Sequence, residues 1–251
     1  MTDITSPTNP RVKSLAKLAE KKHRAESGLF LLEGEEYVRT ALQTGWQVEE
    51  VWHTGEEPPS NIRTSTIRTS TSVLSKITGK PNPQAVLGVL KQRWNPLPTT
   101  PQGLWLALDR PRDPGNLGTI IRTADAVGAA GVILIGEATD PYAPECVRAT
   151  VGSLLHVPLA ACSEADFIGW AKGKRVIGTH LNATKDFRTF RAEDATILLM
   201  GNESEGLTDA LTNICTCLAK IPMRGHTESL NLATATALML YQLQADNLTS
   251  A

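Results

Sequence analysis

From Leu104 to Tyr241 the sequence alternates short, almost wholly apolar runs with segments whose apolar residues recur at helical spacing. Residues 104–108, 131–135, 175–179, 197–200 and 217–221 have the length and character of buried strands. Leu117, Ile120, Ile121 and Ala124 form a stripe on one helix. Further helices fall near 144–155, from about Ala165 and from about Leu207, and Leu230, Ala233, Ala237, Leu238 and Tyr241 share a face of a last one. Strands apolar on both faces must be covered on both, so the alternation predicts an α/β fold with a mostly parallel sheet between helices.

A break in composition precedes this region. Residues 94–103 hold Pro96, Pro98 and Pro101 without a periodic apolar pattern, as a linker between compact units does. The chain accordingly divides into a first, smaller domain over 1–94, a linker over 95–103 and a larger domain over 104–251. In the first, Val12, Leu15, Ala16 and Ala19 repeat at helical spacing after Asn9-Pro10. The run from Gly28 to Gly34, a helix through Tyr37, Val38, Ala41 and Leu42 closed by Gly45, and a strand from Val48 to His53 follow in β-α-β order. Residues 85–90 read as another buried strand. The Thr/Ser-rich residues 63–72 fit no single pattern.

A net charge of −1 over 251 residues excludes a surface uniformly positive for nonspecific binding to nucleic acid. A local excess exists: Arg11, Lys13, Lys17, Lys21, Lys22 and Arg24 fall between Pro10 and Ala25 against the single acid Glu20. That segment is either a track for a phosphate backbone or the solvated face of a helix. The longest nearly apolar stretch, Ala126 to Gly136, is far shorter than the roughly 20 residues of a membrane helix. No basic, apolar, cleavable leader opens the chain, so a cytoplasmic protein is expected. Cys146, Cys162, Cys215 and Cys217 form no C-x-x-C and have no neighbouring His, so reduced, partly buried thiols and no metal site are expected.

Open α/β sheets bind ligands at the carboxyl ends of their strands. The loops after Leu108, Met200 and Ile221 are all unusual. In the first, Gly118 and Arg122 lie four apart and share a helix face, setting a guanidinium beside a place where backbone can approach a ligand. Asn116 is positioned as the N-cap of that helix. Alternatively, Arg122 pairs with Asp125 on a plain capped helix. The second loop, Gly201-Asn202-Glu203-Ser204-Glu205-Gly206, is a polar turn whose acids are also explained by a helix N-terminus. It lacks a Lys after Gly206, and the chain has no G-x-G, so neither a P-loop nor a dinucleotide fingerprint is present. In the third, Ser229 fits an N-cap of the last helix. Asn231 would compete with the helix backbone and calls for another partner.

In order, the three loops resemble the motifs of the SpoU (TrmH-like) family of RNA ribose methyltransferases, part of the SPOUT superfamily. An N-x-G-x-x-x-R core is matched by Asn116, Gly118 and Arg122, and G-x-E-x-x-G by Gly201, Glu203 and Gly206. I-P-M-x-G leading to S-L-N is matched by Ile221, Pro222, Met223, Gly225, Ser229, Leu230 and Asn231. Residues 148–158, with Gly152 and Pro158, resemble the family's intermediate segment. Asn9-Pro10 with Phe30-Leu-Leu-Glu-Gly34 resembles its N-terminal substrate-binding domain, and residues 58–80 carry no family signature.

The resemblance implies a sheet whose C-terminal part threads into a deep trefoil knot, an exception to the general rule against knots. It implies S-adenosyl-L-methionine bound in that knot and a homodimer with the active site near the subunit interface. The implied reaction is 2′-O-methylation of a ribose in structured RNA, 23S ribosomal RNA by the character of the first domain. A transfer-RNA enzyme and a noncatalytic RNA-binding protein of the same fold are the alternatives. Arg122, Asn116 and Glu203 become the catalytic candidates. A guanidinium stays protonated in proteins, so Arg122 is expected to grip a phosphate and stabilise charge on the attacking oxygen, not to act as a base. Asn116 would orient that arginine or the ribose, and Glu203 would pair with Arg122 or hold its loop. Cofactor contacts are expected from Leu199, Met200, Gly201, Ile221, Ser229, Leu230 and Asn231, largely through backbone groups. RNA backbone contacts are expected from Arg11, Lys13, Lys17, Lys21, Lys22 and Arg24. In-line methyl transfer is mostly a matter of positioning and needs no metal.

Overall fold

The computed structural model describes residues 2–58, 62 and 64–248, in two compact units: Met1–Arg93 with Asp140–Arg148, and Trp94–Thr139 with Ala149–Ala251. Residues 1, 59–61, 63 and 249–251, which the expected domain ranges and the Thr/Ser-rich stretch include, lie outside the described residues.

The first unit runs β1 (Thr2–Ile4), α1 (Pro10–Ala16), α2 (Lys21–Ser27), β2 (Leu29–Glu33), α3 (Glu35–Gln43), β3 (Val48–His53), β4 (Ser65–Thr69), α4 (Thr71–Thr78) and β5 (Val86–Lys91). Its strands form one mixed sheet in the order β1-β4-β3-β5-β2. The basic segment is not a single helix. Asn9 caps α1 by accepting from the Arg11 N–H, and Pro10 presets its first turn. A 3-10 turn over Lys17–Ala19 and an extended Glu20 then separate α1 from α2. The Thr/Ser-rich stretch resolves into β4, where Ile67 and Thr69 turn inward, and α4, capped by the Ser70 hydroxyl and closed by a left-handed Gly79. Val12 and Leu15 of α1 and Val73, Leu74 and Ile77 of α4 share one core with Trp52, Ile67 and Leu87 of the sheet.

Asp140–Arg148 belongs to this unit, a departure from the continuous domain expected over 104–251. Tyr142 is buried with its ring 4.9 Å from that of Phe30, and Asp140 accepts from Arg24 at 2.7 Å.

The second unit contains β6 (Leu104–Asp109), α5 (Pro114–Ala126), β7 (Gly131–Ile135), the end of α6 (Pro144–Thr150), β8 (Leu159–Cys162), α7 (Glu164–Ala171) and β9 (Arg175–Thr179). β10 (Lys185–Asp186), β11 (Thr196–Met200), α8 (Asp209–Asn213), β12 (Cys217–Lys220) and α9 (Leu232–Leu243) follow. Its seven strands pair in parallel in the order β10-β12-β9-β11-β6-β7-β8, so the α/β expectation holds. Trp105 and Ala107 of β6 pack in a cluster with Phe167 of α7 and Leu211 of α8. Leu106 and Leu108, equally buried, point to the opposite face, where α5 and α9 pack on each other and on the sheet. The helix expected over 144–155 breaks at Val151 and Gly152, with φ of 51° and 91°, and continues as a 3-10 turn over Ser153–Leu155. Leu108 and Met200 are register partners, so the ends of β6 and β11 lie side by side, and β12 lies across β9 from β11.

Candidate active site

The three motif loops leave the carboxyl ends of β6, β11 and β12, and side chains tie them together. Asp113, not Asn116, caps α5: its carboxylate accepts from the Asn116 N–H at 2.5 Å, and Pro114 occupies the first turn. This corrects the expected cap and frees the Asn116 side chain. Its Oδ1 accepts from Asn231 Nδ2 at 3.0 Å, across 115 residues of sequence. Asn231 in turn caps α9, its Oδ1 accepting from the N–H groups of Ala233 and Thr234 at 2.9 and 3.3 Å. Ser229 is therefore not the cap; its carbonyl accepts from the Thr227 hydroxyl.

The second loop closes on itself through paired backbone hydrogen bonds between Asn202 and Gly206. The buried Asn202 side chain accepts from the N–H groups of Ser204 and Glu205 and donates to the Arg110 carbonyl at 2.7 Å. Glu203 accepts from the Arg112 N–H at 3.3 and 3.4 Å and has no ion pair to Arg122 among the described residues. Helix α8 begins only at Asp209, capped by Thr208. Glu203 and Glu205 thus lie outside its first turn, and the helix dipole does not explain them. Glu205 meets Arg110 and Arg112 at 3.1 and 3.4 Å. The Arg110 pKa is raised, first by its hydrogen bond with Asp109, so it stays cationic.

Arg122 is exposed on α5 and has no hydrogen bond or ion pair among the described residues, Asp125 included. Gly118 is buried on α5. Of the expected cofactor set, Leu199 and Met200 are buried at the end of β11, Gly201 follows them, Ile221 follows β12, and Ser229, Leu230 and Asn231 lead into α9. From Met223 to Leu230 no backbone N–H finds an acceptor among the described residues. Unused backbone donors in this loop suit an adenosyl ligand, whose ring nitrogens and ribose oxygens accept hydrogen bonds.

In the first unit Lys13, Lys17, Lys21 and Lys22 are exposed. Arg24 is not: only 3% of its side chain is accessible, and it donates to Asp140 and to the carbonyls of Leu18 and Ala19. A buried guanidinium needs such partners, which removes Arg24 from the expected RNA contacts. Arg11 is paired with Glu50 at 2.6 Å. The four cysteines are free, and burial pushes the Cys215 and Cys162 thiols up to about 12 and about 11. Among the described residues no group of His, Cys, Asp or Glu could hold a metal ion, and no helix is long and apolar enough to cross a membrane.

Sequence reading gave no role to Asp113, Asn202, Arg110 and Arg112, and left Glu205 to a helix N-terminus. The Asp-Pro step is a recognisable helix start, whereas the others are defined by contacts between segments more than 90 residues apart.

Residues 103–241 match the family described as SpoU rRNA Methylase, and residues 9–88 match the MRM3-like substrate binding domain. The chain is 32% identical to a 23S rRNA (uridine(2479)-2′-O)-methyltransferase of Streptomyces viridochromogenes, over 90% of this chain and 86% of the relative. It is likewise 32% identical to the 23S rRNA (guanosine(2553)-2′-O)-methyltransferase RlmP of Bacillus subtilis, over 97% and 100%. An AdoMet-bound rRNA methyltransferase from Sinorhizobium meliloti superposes with a TM-score of 0.92 at 42% identity, covering 99% of each chain.

Proposed function

The chain belongs to the SpoU rRNA methylase family, and we propose that it transfers the methyl group of S-adenosylmethionine to a ribose 2′-hydroxyl of 23S ribosomal RNA in the cytoplasm. The observation that carries this reading is the hydrogen bond between Asn116 and Asn231, which brings the first and third motif loops together at the start of α5, the helix that carries Arg122, unpaired among the described residues. Both named relatives act on 23S ribosomal RNA, and residues 9–88 match a substrate binding domain.

When bound, S-adenosylmethionine supplies an electrophilic methyl group on a sulfonium. The chain's own residues supply position and charge. Arg122 has its whole fork of donors available; it grips a phosphate beside the target ribose and stabilises the negative charge that grows on the 2′-oxygen. Asn116, fixed through its oxygen by Asn231, keeps its Nδ2 donors for the ribose or for orienting the arginine. Glu203 holds its turn against the Arg112 backbone, steadying the adjoining Met200 and Gly201 on the cofactor side. Catalytic assignments to Arg122, Asn116 and Glu203, and cofactor contacts from Leu199, Met200, Gly201, Ile221, Ser229, Leu230 and Asn231, are part of this proposal.

So are the trefoil knot and the homodimer. The placement of β12 beyond β9 supports a threaded C-terminal part. Exposed Leu238 and Tyr241 on α9 and exposed Val151, whose left-handed backbone is rare for a β-branched residue, support a partner subunit.

Incubation of the protein with methyl-labelled S-adenosylmethionine and ribosomal RNA should leave label in a nuclease-resistant 2′-O-methylated dinucleotide. Label confined to bases, or none, refutes the reading. In the first unit, replacing Lys17, Lys21 and Lys22 by alanine should weaken RNA binding and flatten the slope of log affinity against log salt by roughly 2 to 3. An unchanged slope would make these lysines a merely solvated face.

A further inference from the structure

Arg110 stands first after β6 with φ of 45°, a left-handed backbone that residues with a side chain seldom adopt, and no motif accounts for it. Its contacts do. Nε and Nη2 donate to the two carboxylate oxygens of Asp109 at 2.9 and 3.1 Å, and the Asp109 side chain is fully buried at the end of a central strand. Nη1 donates to Glu205 at 3.1 Å, and the Arg110 carbonyl accepts from Asn202 Nδ2 at 2.7 Å. The Arg110 N–H donates to the Ile135 carbonyl at the end of β7. Gly136 leaves room beside it: a Cβ there would stand 3.1 Å from Arg110 Cγ. One residue thus joins the ends of β6 and β7 to the 202–206 turn. A lysine would neutralise Asp109, but serving two acids in fixed directions requires a rigid fork.

We propose that Arg110 is a positioning residue for methyl transfer, latching the 202–206 turn beside Met200 and Gly201 onto the segment that leads to Asn116 and Arg122. Methyl donor and ribose oxygen are thereby kept in line. This rests on the methyl-transfer reading above. A shift of about an ångström can cost about 100-fold in rate without weakening binding, so the latch acts on kcat more than on KM.

Two variants probe it. Arg110→Lys keeps a cation for Asp109 and loses the fork; Glu205→Gln keeps the Asp109–Arg110 pair and loses the charged link to the turn. Each should lower kcat by about 10- to 100-fold with both KM values within about threefold of the parent. The double variant should lose less than the product of the two single losses, because both remove the Arg110–Glu205 contact while only Glu205→Gln also gives up the contact with Arg112. The amide protons of Ser204 and Glu205, held by Asn202 Oδ1, should exchange at least about tenfold faster in Arg110→Lys. Unchanged kcat in both single variants, or losses that add in the double, overturns the latch. A parent protein that transfers no methyl group sinks the reaction assignment alone; unchanged amide exchange then overturns the latch independently.

Discussion

Arg122→Ala should lower methyl transfer by about 10²- to 10³-fold while S-adenosylmethionine affinity stays within about threefold of the parent, the usual effect of removing one preorganised donor to a developing oxyanion. The split follows from where Arg122 sits. It projects exposed from α5, whose start is bridged to α9, whereas the expected cofactor contacts come from the ends of β11 and β12. Lysine at the same position restores charge but not two parallel donors, so Arg122→Lys should recover only part of the loss. The measurements are single-turnover methyl transfer and calorimetric titration with the cofactor. Near-normal turnover in Arg122→Ala would remove the arginine from the chemistry; a cofactor affinity that falls in step with the rate would move it to the cofactor side.

The second large effect is steric. A Cβ on Gly201 would stand 2.5 Å from the Leu207 nitrogen and closer still to the Gly206 carbonyl carbon. Both obstacles are backbone, so no rotamer change relieves them and the turn itself must open. Opening it breaks the paired hydrogen bonds between Asn202 and Gly206 and draws Glu203 away from Arg112. Overpacking of this kind costs about 1–3 kcal/mol, and for a chain this size each kcal/mol lowers the melting temperature by roughly 2–4 °C. Gly201→Ala should therefore melt several degrees low and bind S-adenosylmethionine at least about tenfold more weakly, because the expected contacts are made by the displaced backbone. Gly225→Ala is the control for melting, since a Cβ there meets nothing within 4 Å. Equal melting of the two alanine variants would show that the turn yields freely.

The same two sites mark how far sequence reading reaches. The apolar runs of β6, β7 and β11 and the middle of β9 were legible because a strand buried on both faces must be apolar throughout, whereas β12 is only half-buried and ends on the exposed Lys220. β10 has two residues and β8 only four, with Ala161 exposed, too little for any period to register. Arg24 reads as one more cation in a basic run; only the fold, by bringing Asp140 and the carbonyls of Leu18 and Ala19 around it, turns it inward. The motif residues Asn116, Glu203 and Asn231 were legible by resemblance, but their hydrogen-bond partners were not. A contact such as Asn202 to Arg110 depends on which strands are neighbours, and β6 beside β11 is a fact of topology that neither segment encodes by itself.

Asn231 gives a helix start and the junction of two loops a common foundation. Its carbonyl oxygen starts α9 while its amide nitrogen reaches Asn116, so no atom of the side-chain amide is left to vary. Aspartate could begin the helix equally well but would turn an acceptor toward an acceptor; serine could begin it and reach nothing. The start of this helix cannot be retuned for heat or cold without breaking the bond to Asn116, so if the proposed site is right, adaptation to temperature has to be sought elsewhere in the chain.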